Sequence, residues 1–238
     1  MAMPNVREMF IPDEGMEMGD LDLDSADLRI VVWESDCREM KRMFAEGIKP
    51  YVAVAQEYYK DPSITKKHPA YQVFKKLCHG TNYMGKPPTI AGQCGLLVND
   101  VDRIQKWYYG KFPEIKNWQE ALVKKFTRTA TMTNAFGYRR KWLDRVEGNI
   151  INEAVAWVPQ STVALIINHA YVNIDANLPD VEILLQVHDS VTLQYPIENC
   201  EKHKSDILRE STIIVPYDDP LIVPVGLKTS RDSWGRVE

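Results

Sequence analysis

The stretch 181-VEILLQVHDSVTLQY-195 decides how this chain is read. Its two runs of strand formers, 181–185 and 191–195, flank 186–190, so the segment reads as a β-hairpin with polar residues at its tip. Upstream, 149–173 is long, largely apolar and free of glycine, which predicts a buried helix despite Pro159. Downstream, a helix at 200–209 and a strand at 221–227 complete the C-terminal part.

Toward the N-terminus, 10–19 reads as a turn containing Pro12 and Gly15, leading into 21–33, a strand that passes into a helix. Between 36 and 59 the apolar residues Met40, Met43, Phe44, Tyr51, Val54 and Ala55 recur at helical spacing, and the break near Gly47 and Pro50 makes two helices. Residues 68–82 are again helical, whereas 86–95, with its prolines and glycines, reads as loop. Asn99 and Asp100 are candidate N-caps for the next helix, which runs to Pro113. Another follows with Ile115, Trp118, Leu122, Val123 and Phe126 on its apolar face. The threonine-rich 127–133 then suits a short hairpin whose turn is marked by Gly137. A strand, many helices and more strands make an α+β protein with a helical insertion.

The 238 residues carry 29 basic and 33 acidic side chains, a net charge of -4. A cationic body of the kind that binds nucleic acid without specificity is excluded, so any such contact must use local patches. Cys37, Cys78, Cys94 and Cys200 form no CxxC pair and no zinc-spaced set, which suits reduced thiols in a cytosol. No apolar run reaches the length expected of a membrane span, and the first residues hold no signal-peptide core, so a soluble intracellular protein with no membrane partner is expected.

Three motifs carry chemistry. Asp22-Leu-Asp-Ser-Ala-Asp27-Leu-Arg29 puts a carboxylate at a strand end, where a hard divalent cation finds oxygen ligands and keeps waters that phosphate oxygens can replace. Gln186-Val187-His188-Asp189-Ser190 puts another at the hairpin tip. Two aspartates at the ends of neighbouring strands can hold two cations about 3.5 to 4 Å apart. In Lys75-x-x-Cys78-His79-Gly80-x-x-Tyr83, helical spacing sets Tyr71, Lys75, His79 and Tyr83 on one stripe, a lysine, an imidazole and a phenol suited to phosphate, sugar and base. An ordinary amphipathic helix with buried aromatics has the same pattern, but it leaves unexplained Gly80, which would let a base or template strand come close.

In order and separation these motifs resemble family A DNA polymerases, the group that includes bacterial DNA polymerase I and the replicative enzymes of many phages, over about residues 5–234. The first is similar to the family's DYSQIELR, with Asp22 on the metal-binding aspartate and the Leu23 backbone carbonyl beside it. The hairpin tip resembles QVHDE, making Asp189 the second metal ligand, with Ser190 in place of the second acid. The helix resembles R-x-x-x-K-x-x-x-F/Y-G-x-x-Y, so Lys75 faces the triphosphate. Tyr71 replaces the usual arginine there, which leaves Lys67, His68 and Lys76 as further cations, and His79 replaces the usual aromatic ring that influences discrimination at the sugar 3′ position. Asp27 takes the place of a glutamate that excludes the 2′-hydroxyl, one methylene shorter. Asn134-Ala-Phe-Gly-Tyr-Arg139-Arg140 resembles T-x-x-G-R-R-R, whose cations reach template phosphates. Pro159-Gln160-Ser161-Thr162 resembles P-x-Q-G-T, with Gln160 at the primer-template minor groove, and Arg29 and His188 fall on positions near the primer terminus.

The resemblance implies template-directed addition of deoxynucleotides from their triphosphates to primer-template DNA, with two Mg2+ ions. It implies a palm at 1–34 and 149–238 around a helical fingers segment at 35–148, with thumb and exonuclease domains absent; a split enzyme whose second polypeptide supplies them is the natural explanation, and a truncated gene product is the alternative. The compartment implied is the cytoplasm of a bacterial or phage-infected cell. The competing class is a catalytically inactive polymerase remnant or DNA-binding scaffold, and retention of both Asp22 and Asp189 favours the enzyme. A nuclease stands third, because such a site does not require the stripe from Lys75 to Tyr83.

Overall fold

The computed structural model describes residues 5–237; residues 1–4 of the expected first palm segment and Glu238 lie outside the described residues. A 3-10 turn at Val6–Met9 is followed by β1 (Met16–Leu23), then α1 (Ala26–Glu34), α2 (Arg38–Ala45) and α3 (Pro50–Tyr59). Next come α4 (Pro69–Asn82), α5 (Pro87–Cys94), α6 (Val98–Lys111), α7 (Pro113–Thr129), β2 (Thr131–Thr133) and β3 (Arg139–Lys141). The chain continues through α8 (Asn149–Asn177), β4 (Glu182–Val187), β5 (Ser190–Pro196), α9 (Cys200–Glu210), β6 (Ile214–Val215), β7 (Leu221–Ile222) and β8 (Val225–Ser230). Two compact units result: one takes the chain up to Ala26 and again from Ser161 onward, the other is Asp27–Gln160.

The first unit is built on a four-stranded antiparallel sheet in the order β4-β5-β1-β8. β1 lies between two neighbours, and Met18, Leu21 and Leu23 are buried along it. Gly19 leaves room there for two leucine side chains: an added Cβ would sit 2.9 Å from Leu227 Cδ1 and 3.0 Å from Leu193 Cδ1, and they would have to shift. Glu17, buried on the same strand, accepts from the Tyr195 hydroxyl at 2.9 Å and meets Lys204 at 3.1 Å. Burial pushes its carboxyl upward, but those two partners and Arg231 outweigh it and hold the carboxyl below its ordinary value.

The second unit is helical. Leu28, Val31, Phe74, Leu77, Tyr108 and Trp118 belong to its main core, and a smaller one joins Phe126, Met132, Trp142, Ala154 and Val158.

Several elements depart from expectation. The segment 86–95 is not loop: Pro87 opens α5, and Gly95, at φ 66°, closes it in the left-handed conformation, so proline and glycine punctuate a short helix. α6 starts at Val98 with Leu97 as its cap, so Asn99 and Asp100 lie within its first turn. β1 begins at Met16 and ends at Leu23, where Ser25, at φ 57°, turns the chain into α1. The single strand expected at 221–227 is two, β7 and β8, separated by Val223 and Pro224, and proline lacks the N–H a continuous ladder needs. Thr127 and Thr129 remain in α7 by donating to the carbonyls of Val123 and Lys125, both at 2.9 Å. Contrary to the sequence reading, α8 is long and apolar enough to cross a membrane by length and composition, with a mean hydropathy of 1.4 over its best window. Its Val155, Val158, Ile166, Ile167, Ala170 and Ile174 are buried within the protein.

Candidate active site

The register of the sheet brings the first two predicted residues together. β1 and β5 run antiparallel with Asp22 opposite Ser190, so Asp22 and Asp189 meet at one end of the sheet. Asp189 sits in the two-residue turn between β4 and β5 together with His188, which is exposed at φ 56°. The Ser190 hydroxyl donates to the Val187 carbonyl at 3.0 Å, so the residue that replaces an acid in the family pattern closes the turn.

Strand alternation puts Asp20 on the same side as Asp22, and Asp24 follows directly after β1, near enough for its charge to act on Asp22. Asp22 is exposed, yet enough protein surrounds its carboxylate that lost hydration raises its pKa, and the charges of Asp189, Asp20 and Asp24 raise it further against the pull of Lys228. Asp20 and Asp24 were not singled out from the sequence, although the alternation Asp20-Leu-Asp22-Leu-Asp24 carries the signal. The Leu23 side chain is buried and the Asp24 N–H donates to the Pro224 carbonyl at 2.8 Å, which fixes the backbone where the expected carbonyl ligand lies.

Among the described residues no group of three or more histidine, cysteine or acidic side chains is arranged to hold a metal. The donor set nonetheless fits a hard divalent cation: two carboxylates and a carbonyl leave coordination positions for water and phosphate oxygens. The unbalanced negative charge that raises Asp22 is what a bound cation relieves.

The second cluster lies in the helical unit. The Tyr83 hydroxyl, just past the end of α4, donates to Asp27 Oδ1 at 2.8 Å, and the His79 ring meets the Tyr83 ring edge-on at 4.7 Å. Burial raises the Tyr83 phenol, and the Asp27 charge raises it further. Burial lowers His79, helped by Lys75 and opposed by Asp27, so the imidazole is neutral at neutral pH. Lys75 stands exposed one turn before His79.

Three expectations about this helix are corrected. Tyr71 is a buried core residue, because α4 turns that end of its stripe toward the main core, so its phenol is not on the Lys75 surface. His68 caps α4, its Nδ1 accepting from the Ala70 N–H at 3.2 Å, so its ring is tied to the helix start. Gly80 makes room for Ile90 of α5, whose Cδ1 and Cγ1 would lie 3.0 Å from an added Cβ, rather than for a base or template strand.

A buried hydrogen-bond network that sequence reasoning missed pins the last turn of α4. Gln119 of α7 donates to the carbonyls of Thr81 and Asn82 at 2.9 and 2.8 Å, and its Oε1 accepts from the Tyr109 hydroxyl at 2.9 Å. Gln105 of α6 donates to the Thr81 hydroxyl at 3.1 Å and to the Gly85 carbonyl at 2.9 Å. The Tyr108 hydroxyl donates to Asn82 Oδ1 at 3.0 Å. These groups satisfy carbonyls that have no partner within the helix. Their signal is an amide on an otherwise apolar helix face, Gln105 beside Ile104 and Tyr108, and Gln119 beside Ile115 and Trp118.

The remaining predicted residues are separate. Arg29 stacks on the Phe44 ring at 4.0 Å, and Gln160 is exposed on α8. Arg140 pairs with Glu153 at 2.6 Å and stacks on Trp142 at 4.4 Å, whereas Arg139 projects from the opposite face of its strand.

The chain belongs to DNA polymerase family A, whose model matches residues 2–234. It is 23% identical over 232 residues to the thermostable DNA polymerase I of Thermus filiformis, covering 93% of this chain and 28% of that relative. It is likewise 23% identical over 231 residues to the thermostable enzyme of Thermus aquaticus, again covering 93% of this chain and 28% of the relative. Among solved structures it is similar to the POL domain of Pol1 from M. smegmatis in complex with DNA primer-template and dNTP, at a TM-score of 0.84 and 20% identity over 96% of this chain and 42% of that one. The chain thus spans under a third of the length of these thermostable relatives.

Proposed function

We propose that this chain is the catalytic portion of a DNA-directed DNA polymerase, adding deoxynucleotides to a primer 3′-hydroxyl as a template directs. The observation that carries the reading is the pairing of Asp22 with Ser190, which brings two carboxylates to one sheet end where Lys228 only partly offsets their charge. In this reading the sheet unit is the palm and the helical unit the fingers.

Asp22, Asp189 and the Leu23 carbonyl would hold two Mg2+ ions. Bound there, the ions supply charge neutralisation for the phosphates and lower the pKa of the primer hydroxyl. The primer 3′-oxygen forms the new bond to the α-phosphorus as the bond to pyrophosphate breaks. Lys75 offers its ammonium to the triphosphate. The Tyr83 hydroxyl fixes Asp27 against the sugar, and the buried amides of Gln105 and Gln119 keep the end of α4 from shifting. His79, neutral, presents a ring to the nucleotide without adding charge. Arg29, His188 and Gln160 are assigned to the primer-template, in positions taken from the family pattern.

Thumb and exonuclease portions, on a separate polypeptide, are the proposed protein partner, and the four free thiols suit a cytoplasmic setting. The test is single-nucleotide extension of a primed template with Mg2+, using this chain combined with a polypeptide that carries those portions. Incorporation of only the complementary nucleotide is expected. Binding of primer-template without extension would move the reading to a scaffold that has kept the fold.

A further inference from the structure

One member of the cluster on α4 can change its charge near neutral pH. His79 stands where the family pattern has an aromatic ring, and an imidazole can take up a proton that a phenyl ring cannot. The titratable groups that face it are Lys75, one turn before it on α4, Tyr83, one turn after it, and Asp27, from the first turn of α1.

Tyr83 touches both of the groups that matter. Its hydroxyl donates to Asp27 Oδ1 at 2.8 Å, and its ring meets the His79 ring at 4.7 Å with 77° between the planes. Burial and the Asp27 charge both raise the phenol, so it remains a neutral donor. That bond uses one carboxylate oxygen of Asp27, and a carboxylate has a second. His79, Tyr83 and Asp27 are all half-buried, where charges act on one another more strongly than in water.

Burial, the larger influence on His79, disfavours its imidazolium, while Asp27 favours it and Lys75 opposes it. At neutral pH the ring is uncharged and the partner of Asp27 is the Tyr83 hydroxyl. Once protonated, the ring has two N–H donors and a positive charge beside that carboxylate. A charge-assisted bond from the imidazolium is about twice as strong as the neutral bond from the phenol. Asp27, one methylene shorter than the glutamate of the family pattern, has little reach to serve a sugar and an imidazolium together.

We propose that His79 is a positioning residue acting through Asp27: its imidazolium pairs with the Asp27 carboxylate and draws it from the nucleotide sugar, so that exclusion of ribonucleotides weakens as pH falls. The place of Asp27 at the sugar rests on the polymerase reading; its pairing with His79 does not.

Two measurements test this. In Mg2+-dependent extension with the thumb and exonuclease portions supplied, kcat/KM for a deoxynucleoside triphosphate is divided by that for the matching ribonucleoside triphosphate, from about pH 7.5 down to about pH 5.5. Titration of Asp22 and Asp189 is common to both substrates and cancels in the ratio. The ratio should fall about tenfold in the wild type and stay level in His79→Gln and His79→Phe. A level wild-type ratio, or the same fall in His79→Gln, would overturn the proposal.

The second measurement needs no catalysis. Carbon-13-labelled histidine is titrated by NMR in this chain, and the His79 signal among the five histidines is the one lost in His79→Gln. Its midpoint should fall in Asp27→Asn and rise in Tyr83→Phe, which leaves Asp27 to the imidazolium alone. A midpoint that neither substitution moves would refute the pairing. Absence of extension at every pH would refute the polymerase reading and the sugar role with it, and the titration would still decide the pairing.

Discussion

The two units solve the problem of placing polar groups in opposite ways. At the end of the sheet, Asp20, Asp22, Asp24 and Asp189 are gathered with too little positive charge, and lost hydration together with those charges raises the pKa of Asp22. At the end of α4, Gln105, Gln119, Asn82 and Tyr108 leave their neighbours satisfied by hydrogen bonds inside a closed core. The first arrangement is destabilised until something cationic arrives. The second is rigid by itself. A site that must recruit an ion benefits from unbalanced charge, whereas a helix that must present side chains at fixed positions benefits from a saturated support.

The largest stability effect should come from breaking the saturated end. Gln119→Leu keeps the volume but takes the side-chain donor from the Asn82 carbonyl in the core, while the Thr81 carbonyl keeps the Tyr109 hydroxyl and the Met84 N–H, and a loss of about 1 to 3 kcal/mol is expected in denaturant unfolding. Retained stability would show that the amides are spectators.

On the exposed part of the same helix, Lys75→Ala should leave the melting temperature unchanged. Loss of one charge-assisted contact should raise KM for the nucleotide about 10- to 100-fold in steady-state extension. The contrast between these two substitutions separates support from presentation.

The smallest effect has the opposite sign. The folded-state pKa of Asp22 is raised, so its ionised form disfavours folding once pH rises above the ordinary carboxylate range. Asp22→Asn should therefore stabilise the metal-free protein at neutral pH, by under about 1 kcal/mol because the group is exposed. The gain should vanish below about pH 4, where both states are protonated. Thermal melts against pH measure this, and added Mg2+ should raise the wild-type melting temperature more than that of Asp22→Asn.

This contrast also explains what the sequence made legible. The sheet end announces itself because strand alternation is short-range: Asp20-Leu-Asp22-Leu-Asp24 and the hairpin 181–195 can be read without knowing what packs against them. The α+β class and most helices are legible for the same reason. The support of α4 is not, because it depends on partners from α5, α6 and α7. Gly80 looks like a gap left for a ligand until Ile90 is found in it, and Ile90 belongs to a segment whose proline and glycine suggest loop. Tyr71 falls on the stripe with Lys75 by spacing, but the core lies on that side of the helix start. Local pattern gives the face of a helix; it does not say where along that face the core stops.

The most direct test of the account compares the wild type with Asp189→Asn in Mg2+-dependent single-nucleotide extension, both with the thumb and exonuclease portions supplied. Asparagine preserves shape and removes the charge that holds the ions, so extension should fall by about a thousandfold or more while primer-template binding and thermal stability are kept. Extension by Asp189→Asn at the wild-type rate would contradict the assignment of the catalytic carboxylates to this sheet end.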